Sequence, residues 1–250
     1  MNDVTAKFTM PSATSPLLPK PARVVGLKEE AYAIATYTLA FDDEATRKSY
    51  RFRPGQFNAL YLPGIGEAPI SVSSSPYEPE SLGHTIRFAG NVTRAISRLK
   101  VGDVIGLRGP YGSVWPLERA RGGDLCLVTG GIGLAPLRPV IYSVIQDRKE
   151  FGKVYLLYGA RTPADMLYTE EIEAWRTHDI QVHTAVDRAD PTWHGQVGVV
   201  PMLFYHIRLD PRRTTVLTCG PEVMMRFVIY EALARRVPKE RIFISMERNM

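Results

Sequence analysis

A chain of 250 residues, 45% hydrophobic and 23% charged, has ordinary globular composition and enough length for two domains of usual size. Its formal charge of +5, from 31 basic and 26 acidic residues, is not gathered into a basic run interleaved with aromatics, which argues against a nucleic-acid partner. No run of about 18 apolar residues reads as a membrane span and no apolar signal core opens the chain; with only Cys126 and Cys219 a disulfide framework is also excluded, so the expectation is a cytoplasmic protein without membrane insertion.

Residues 1–20, with Pro11, Pro16 and Pro19 and no hydrophobic period, read as a flexible tail. From Arg23 onward, short runs of β-formers follow at 23–27, 33–41, 56–62, 70–73, 84–88 and 104–108, separated by Gly-, Pro- and Asp-rich turns. One brief helical stretch, 93–99, interrupts them. This rhythm predicts an antiparallel β-barrel over residues 21–120.

Past Gly109-Pro110-Tyr111-Gly112 and the charged segment 118–124, strands and helices alternate. Strands are expected at 125–129, 154–159, 180–185, 215–219 and 241–245, and helices at 134–148, 169–176, 199–207 and 221–236. Such alternation specifies a Rossmann-like α/β domain, a parallel sheet with helices on both faces, over residues 121–250. Arg208, Arg212, Arg213, Arg226, Arg235, Arg236, Lys239, Arg241 and Arg248 concentrate basic charge near the end, as a solvated face or a patch for an acidic partner.

The stretch Leu125-Cys-Leu-Val-Thr-Gly-Gly-Ile-Gly-Leu-Ala-Pro136 reads as strand, tight turn and helix. Its glycines would let a phosphate approach the backbone at a helix start, with Pro136 in the first turn where a dinucleotide fingerprint usually has a third glycine. A plain tight turn is the alternative. Ligands of an open parallel sheet bind beyond the carboxyl ends of its strands, which gathers 130–136, 159–165 and 219–224 at one rim. No acid follows the second strand to hold a ribose; Arg161 stands there instead, suited to a ribose phosphate or pyrophosphate or simply exposed. In the first half, Ala68-Pro-Ile-Ser-Val-Ser-Ser-Ser75 offers hydroxyls to a polar planar ligand, and Gly90-Asn91-Val92-Thr93 opens the brief helix, Thr93 as its N-cap or as part of a second phosphate site. No Gly-x-Ser-x-Gly elbow, Walker lysine motif or His-Glu-x-x-His pair is present, so hydrolase and metalloenzyme chemistry lack a basis.

The segments PGQFNALYLPGIGEAPISVSSSP, GNVTRAISRLKVGDVIGLRGPYGSVWP, TGGIGLAPLRP, YGARTPADMLY, CGPEVMM and ISMERNM, in that order over residues 22–250, resemble the ferredoxin-NADP reductase superfamily. More narrowly, they resemble the gamma-type subunits of NAD(P)-linked nickel-iron hydrogenases (sulfhydrogenases), with the electron-transfer subunits of anaerobic sulfite reductase and dihydroorotate dehydrogenase related. The resemblance implies an FAD-binding barrel followed by an NAD(P)-binding domain, a hydride passed between NAD(P)H and FAD, and single electrons exchanged with an iron-sulfur or hydrogenase-type partner in a hetero-oligomer. Sulfite reductase, dihydroorotate dehydrogenase or a non-catalytic nucleotide-binding redox module are the alternatives.

The implied cofactor-binding set is Pro69, Ile70, Ser71 and Val72 on the flavin strand, and Arg87, Gly90, Asn91, Val92 and Thr93 about the flavin diphosphate turn. Gly130, Gly131, Gly133 and Pro136 form the nicotinamide-nucleotide loop, Arg161 and Asp165 lie toward the adenosine, and Cys219, Gly220 and Pro221 border the nicotinamide. Ser71 and Cys219 are expected beside the reacting rings. Two departures stand out. The superfamily's Arg-x-Tyr-Ser is Ala68-Pro69-Ile70-Ser71 here, and the cysteine cluster that binds [2Fe-2S] after the ERNM-like segment of full-length relatives has no counterpart before Met250. The chain is therefore expected to be truncated before that segment, or else to work as a two-domain reductase.

Overall fold

The computed structural model describes residues 18–246. Most of the expected tail, and residues 247–250 of the ISMERNM motif, lie outside them. Lys20, assigned to that tail, already pairs with Leu107 in a strand.

The first half consists of β1 (Lys20–Ala31), β2 (Ile34–Phe41), α1 (Glu44–Ser49), β3 (Phe57–Leu62), β4 (Gly66–Ser71), β5 (Leu82–Arg87), α2 (Asn91–Ile96) and β6 (Val104–Tyr111). Its strands pair antiparallel in the order β4-β3-β6-β1-β2-β5. Closure into the expected barrel comes just past β4, where the Ser73 N–H donates to the Gly83 carbonyl of β5 at 2.8 Å. Strand alternation turns Tyr37, Leu39, Leu60, Leu82, Ile86 and Leu107 inward into one core. Burial of each such side chain contributes roughly 1.5–3 kcal/mol.

Helix α1 is a correction, because the sequence reading allowed a single helix in this half. The Asp43 carboxylate accepts from the Thr46 N–H at 2.6 Å, with Glu44 in the first turn and Lys48 in the last. Six residues are too few to display a helical period, so only these end signals could have disclosed it.

The barrel also buries a polar chain. The Tyr50 hydroxyl donates to Asn58 Oδ1 at 2.5 Å, the Asn58 amide lies 3.2 Å from His84 Nε2, and His84 Nδ1 lies 2.8 Å from the Gly83 carbonyl. Burial pushes the His84 imidazole down to about 3. The folded barrel therefore holds it neutral at pH 7.

The second half consists of β7 (Asp124–Gly130), α3 (Arg138–Gln146), β8 (Val154–Ala160), α4 (Thr169–Thr177), β9 (Ile180–Val186), β10 (Gln196–Val197), β11 (Thr214–Cys219), α5 (Glu222–Ala234) and β12 (Ile242–Ser245). All its strands are parallel, in the order β10-β9-β8-β7-β11-β12. Leu125, Leu127, Leu156 and Tyr158 share a core with Val140 and Ile141 of α3 and Trp175 of α4; Cys126, Val128 and Leu157 share another with Met225 and Val228 of α5. The chain runs outward one way from β7 through β8 and the other way from β11 to β12. The topological switch point, and with it the place for a ligand, lies between β7 and β11.

Two helices differ from expectation. The helix expected over 134–148 is split: residues Gly131–Leu134 make a 3-10 turn, α3 begins only at Arg138, and Arg148–Glu150 form a further 3-10 turn. Pro139 explains the late start, since its ring clashes with a helical carbonyl four residues earlier and is tolerated only in the first turn, the place expected for Pro136. The segment Val200–His206, expected as an α-helix, is 3-10 throughout, and the short strand β10 was not anticipated. Trp115, after the last barrel strand, is buried in the core of the parallel sheet and donates its indole N–H to the Pro136 carbonyl at 3.0 Å.

Candidate functional site

At the switch point the turns after β7 and β11 press backbone against backbone. A Cβ on Gly133 would lie 2.4 Å from the Cys219 carbonyl oxygen and 2.8 Å from the Gly220 Cα. Gly220, at φ +146°, has no more room, since its Cβ would sit 3.0 Å from the Gly130 nitrogen. The Thr129 hydroxyl donates to the Cys219 carbonyl at 2.8 Å, locking the two strand ends together. Gly130, Gly133, Cys219, Gly220 and Pro221 therefore form one packed unit.

Gly131 has a different role. It takes φ +56°, and the nearest atom to its Cβ position is Arg87 Nη2 at 3.6 Å. Arg87 is exposed at the end of β5, so an arginine of the barrel stands beside the glycine turn of the parallel sheet. Gly131 thus has only a flexible side-chain end beside it, while Gly133 is required for packing. Pro136 lies between the 3-10 turn and α3, with its carbonyl taken by Trp115.

On the barrel side, Pro69 and Ser71 face outward on β4 while Ile70 and Val72 face the barrel core. Of the expected cofactor residues, Val72 and the partly buried Ile70 pack their side chains on the barrel core, which leaves their backbone to face a ligand. Ser73 is wholly buried rather than solvated. The next hydroxyl, Ser74 Oγ, is buried with no hydrogen-bond partner among the described residues, an unfilled polar group three residues past Ser71.

Helix α2 opens at Gly90, and a Cβ there would meet nothing within 4 Å. Thr93 is the third helical residue rather than the N-cap, and its Oγ1 accepts from the N–H groups of Ala89 at 3.1 Å and Gly90 at 3.0 Å. Asn91 is exposed, whereas Val92 packs against the barrel core. On β8, Gly159 lies level with Gly130 of β7, so exposed Arg161 stands two residues beyond the glycine turn on the neighbouring strand. Asp165 is occupied locally, accepting from the Thr162 hydroxyl at 2.7 Å.

The sequence reading missed the side chains that join the halves beside this cleft. Arg138 donates through Nη1 to the Ser73 carbonyl at 3.2 Å and pairs with Glu171. The Tyr168 hydroxyl lies 2.5 Å from Thr85 Oγ1 in the barrel.

The donor set is made of backbone N–H groups, hydroxyls and the guanidinium groups of Arg87 and Arg161. Such groups suit diphosphates and a neutral planar ring. Open space at Gly90, where a Cβ would meet nothing within 4 Å, fits a ligand that approaches the backbone, and at Gly131 the one neighbour within 4 Å among the described residues is the Arg87 guanidinium, at 3.6 Å. A metal is not supported: among the described residues no group of three or more His, Cys, Asp or Glu is placed to hold one. Cys126 is buried on the α5 face of the sheet, and burial pushes its thiol up. Cys219 ends β11 at the cleft. Among the described residues no helix is long and apolar enough to cross a membrane.

Comparison with known proteins agrees with this arrangement. The oxidoreductase NAD-binding domain profile matches residues 127–229. Sulfhydrogenase 1 subunit gamma of Pyrococcus furiosus is 35% identical over 86% of this chain and 74% of its own length; sulfhydrogenase 2 subunit gamma is also 35% identical, over 92% and 83%. A probable dihydroorotate dehydrogenase B (NAD(+)) electron transfer subunit from Methanocaldococcus jannaschii is 30% identical over 91% and 77%. Among solved structures, a ferredoxin NADP+ reductase from Neisseria gonorrhoeae with bound FAD and NADP superposes with a TM-score of 0.77 at 21% identity, covering 90% of this chain and 97% of that one. Phthalate dioxygenase reductase gives a TM-score of 0.72 at 19% identity over 93% of this chain and 70% of that one. With its two sheets arranged as in those reductases, the chain belongs to the family of sulfhydrogenase gamma and dihydroorotate dehydrogenase B electron-transfer subunits, built on the ferredoxin-NADP reductase fold.

Proposed function

We propose that this chain carries electrons between NAD(P)H and an iron-sulfur partner subunit of a hydrogenase-type complex in the cytoplasm. In this reading residues 21–120 hold FAD and residues 121–250 hold the nicotinamide nucleotide. The observation that carries it is the approach of Arg87 of the barrel to the Gly131 turn of the parallel sheet, 3.6 Å from that glycine's Cβ position, with Ser71 facing outward on β4.

Ser71 offers a hydroxyl at the edge of the flavin ring, and the free N–H groups at the start of α2 with Arg87 hold the flavin diphosphate. Arg87 thereby supplies the cation that Ala68 lacks. The open backbone at Gly131 receives the nucleotide diphosphate, Arg161 the adenosine end, and the packed pair of turns at Gly133 and Gly220 presents Cys219 to the nicotinamide. Bound flavin supplies the chemistry that side chains lack, accepting two electrons as a hydride and releasing them singly.

The protein's contribution is alignment: holding two rings in near-attack contact, about 3–3.5 Å apart, is where most of the acceleration arises. No acid or base is needed for a hydride step. In this reading the electrons pass to an iron-sulfur cluster that Cys126 and Cys219 do not ligate.

The test is the visible spectrum of the purified chain with FAD, before and after anaerobic NADH or NADPH. Flavin bound and bleached by either nucleotide is expected; a chain that takes up no FAD refutes the proposal.

A further inference from the structure

We propose that Arg138 is a positioning residue that sets the flavin-side strand against the nicotinamide-side turn, acting through the carbonyl of Ser73. The assignment rests on the flavin reading above and deepens it.

Arg138 is the first residue of α3, two residues past Pro136, and so moves with the glycine turn. Ser73 lies two residues past Ser71 on the backbone that borders the expected flavin edge. The bond from Arg138 Nη1 to the Ser73 carbonyl, 3.2 Å, thus ties the ends of the two cofactor-bearing segments directly together.

Both ends of this tie are held. The Arg138 guanidinium pairs with Glu171 of α4 through Nε, at 3.3 Å, and Nη2, with side-chain exposures of 16% and 21%. It lies 4.2 Å from the ring centre of Tyr168 and 5.3 Å from that of Tyr142, whose hydroxyl donates to the same Glu171 at 2.8 Å. Such a planar fork, fixed by a carboxylate and aromatic faces, has little freedom left. At the other end Ser73 is pinned three times. Its N–H donates to Gly83, its Oγ lies 3.0 Å from Thr85 Oγ1, and its carbonyl accepts from Arg138.

Tyr168 closes the loop between the halves. It is buried, it is left-handed at φ +54° and ψ +34° immediately before α4, and its hydroxyl reaches Thr85 in the barrel at 2.5 Å. A bulky aromatic in that backbone region is strained, and strain of this kind persists where the surroundings require one side-chain placement. Here the placement puts the ring under Arg138 and the hydroxyl on Thr85, the residue that also holds Ser73. Thr85 in turn lies 2.8 Å from Thr36 Oγ1, which donates to Glu30 at 2.7 Å, so the network runs on across the barrel wall.

Ordinary adhesion between two halves needs only buried area. A tie from the start of α3 to the flavin strand governs ring separation, and a misplacement of about 1 Å can cost about 100-fold in rate.

The test uses the full chain as wild type, Arg138→Lys and Tyr168→Phe. Arg138→Lys keeps the charge for Glu171 but loses the fork; Tyr168→Phe keeps the ring beneath the guanidinium and removes the hydroxyl's interactions with Thr85 and Ser73. Three readouts are taken: FAD and nucleotide affinity, the single-turnover rate of flavin reduction, and amide hydrogen exchange over residues 70–75 in the chain without cofactors. Affinities should stay within about 3-fold, while reduction slows by about 10-fold or more in Arg138→Lys, the scale expected for lost alignment. Exchange at the Ser73 amide should quicken in both variants.

Unchanged exchange in both variants, unchanged reduction rates in both, or a rate loss explained by lost FAD affinity would each overturn the proposal. Should Arg138→Lys fail to fold, Tyr168→Phe carries the same comparison. If the wild type binds no flavin, the functional reading fails, and the exchange comparison alone decides the tie.

Discussion

Replacing Gly133 by alanine separates packing from ligand binding at the glycine turn. The new Cβ would stand 2.4 Å from the Cys219 carbonyl oxygen, against 3.4 Å for ordinary contact, so the two turns must part by about 1 Å. Neither neighbour is a flexible side-chain end; both are backbone. Overpacking of this kind costs about 1–3 kcal/mol. The Thr129 bond to Cys219, net about 0.5–1.5 kcal/mol, is stretched as well. At roughly 2–4 °C per kcal/mol for a chain of this size, thermal unfolding should fall by about 2–12 °C from the overpacking alone.

Gly131→Ala is the matched control. Its φ of +56° costs an alanine about 1–2 kcal/mol, but its Cβ meets only the mobile end of Arg87 at 3.6 Å. It should lower the unfolding temperature less while weakening NAD(P)H binding, because the added methyl enters the space assigned to the diphosphate. Thermal unfolding and nucleotide titration of both variants check this. Equal unfolding temperatures for the two, or a wild-type value for Gly133→Ala, would refute the division of roles.

Other expectations concern charge. Because burial holds His84 down to about 3 while an exposed histidine titrates near 6.5, only the unfolded chain gains this proton between those pH values. Stability from His84 is thus complete above pH 6.5 and lost as pH falls toward 3, by up to about 5 kcal/mol at about 1.4 kcal/mol per unit. Urea unfolding from pH 7 to pH 4 should show a shallower pH slope in His84→Gln than in wild type; parallel slopes would contradict the assignment. Arg161→Ala should weaken NADPH more than NADH if its guanidinium holds the extra phosphate, and equal losses in direct titrations would reject that role.

What the sequence disclosed follows from the range of the forces involved. The parallel sheet was legible because β7, β8 and β11 are runs of β-formers ending in Gly, Ala and Cys, each followed by a helix or turn. The start of α3 was misplaced because Pro136 was weighed and Pro139, which limits the helix, was not. In the flavin strand, the period of two in Pro69-Ile70-Ser71-Val72 already separates outward from inward residues. The tie between the halves was beyond local reading: Arg138 meets Ser73 across 65 residues of sequence, and Tyr168 meets Thr85 across 83.

The central claim is that a hydride crosses the cleft between the Gly131 turn and the Ser71 strand. Its most direct measurement is the anaerobic single-turnover reduction of the FAD-loaded chain by NAD(P)H carrying deuterium on one or the other face of nicotinamide C4. A fixed alignment of the two rings predicts bleaching that slows with one labelled epimer and not with the other. Flavin that stays oxidised with both epimers would contradict it.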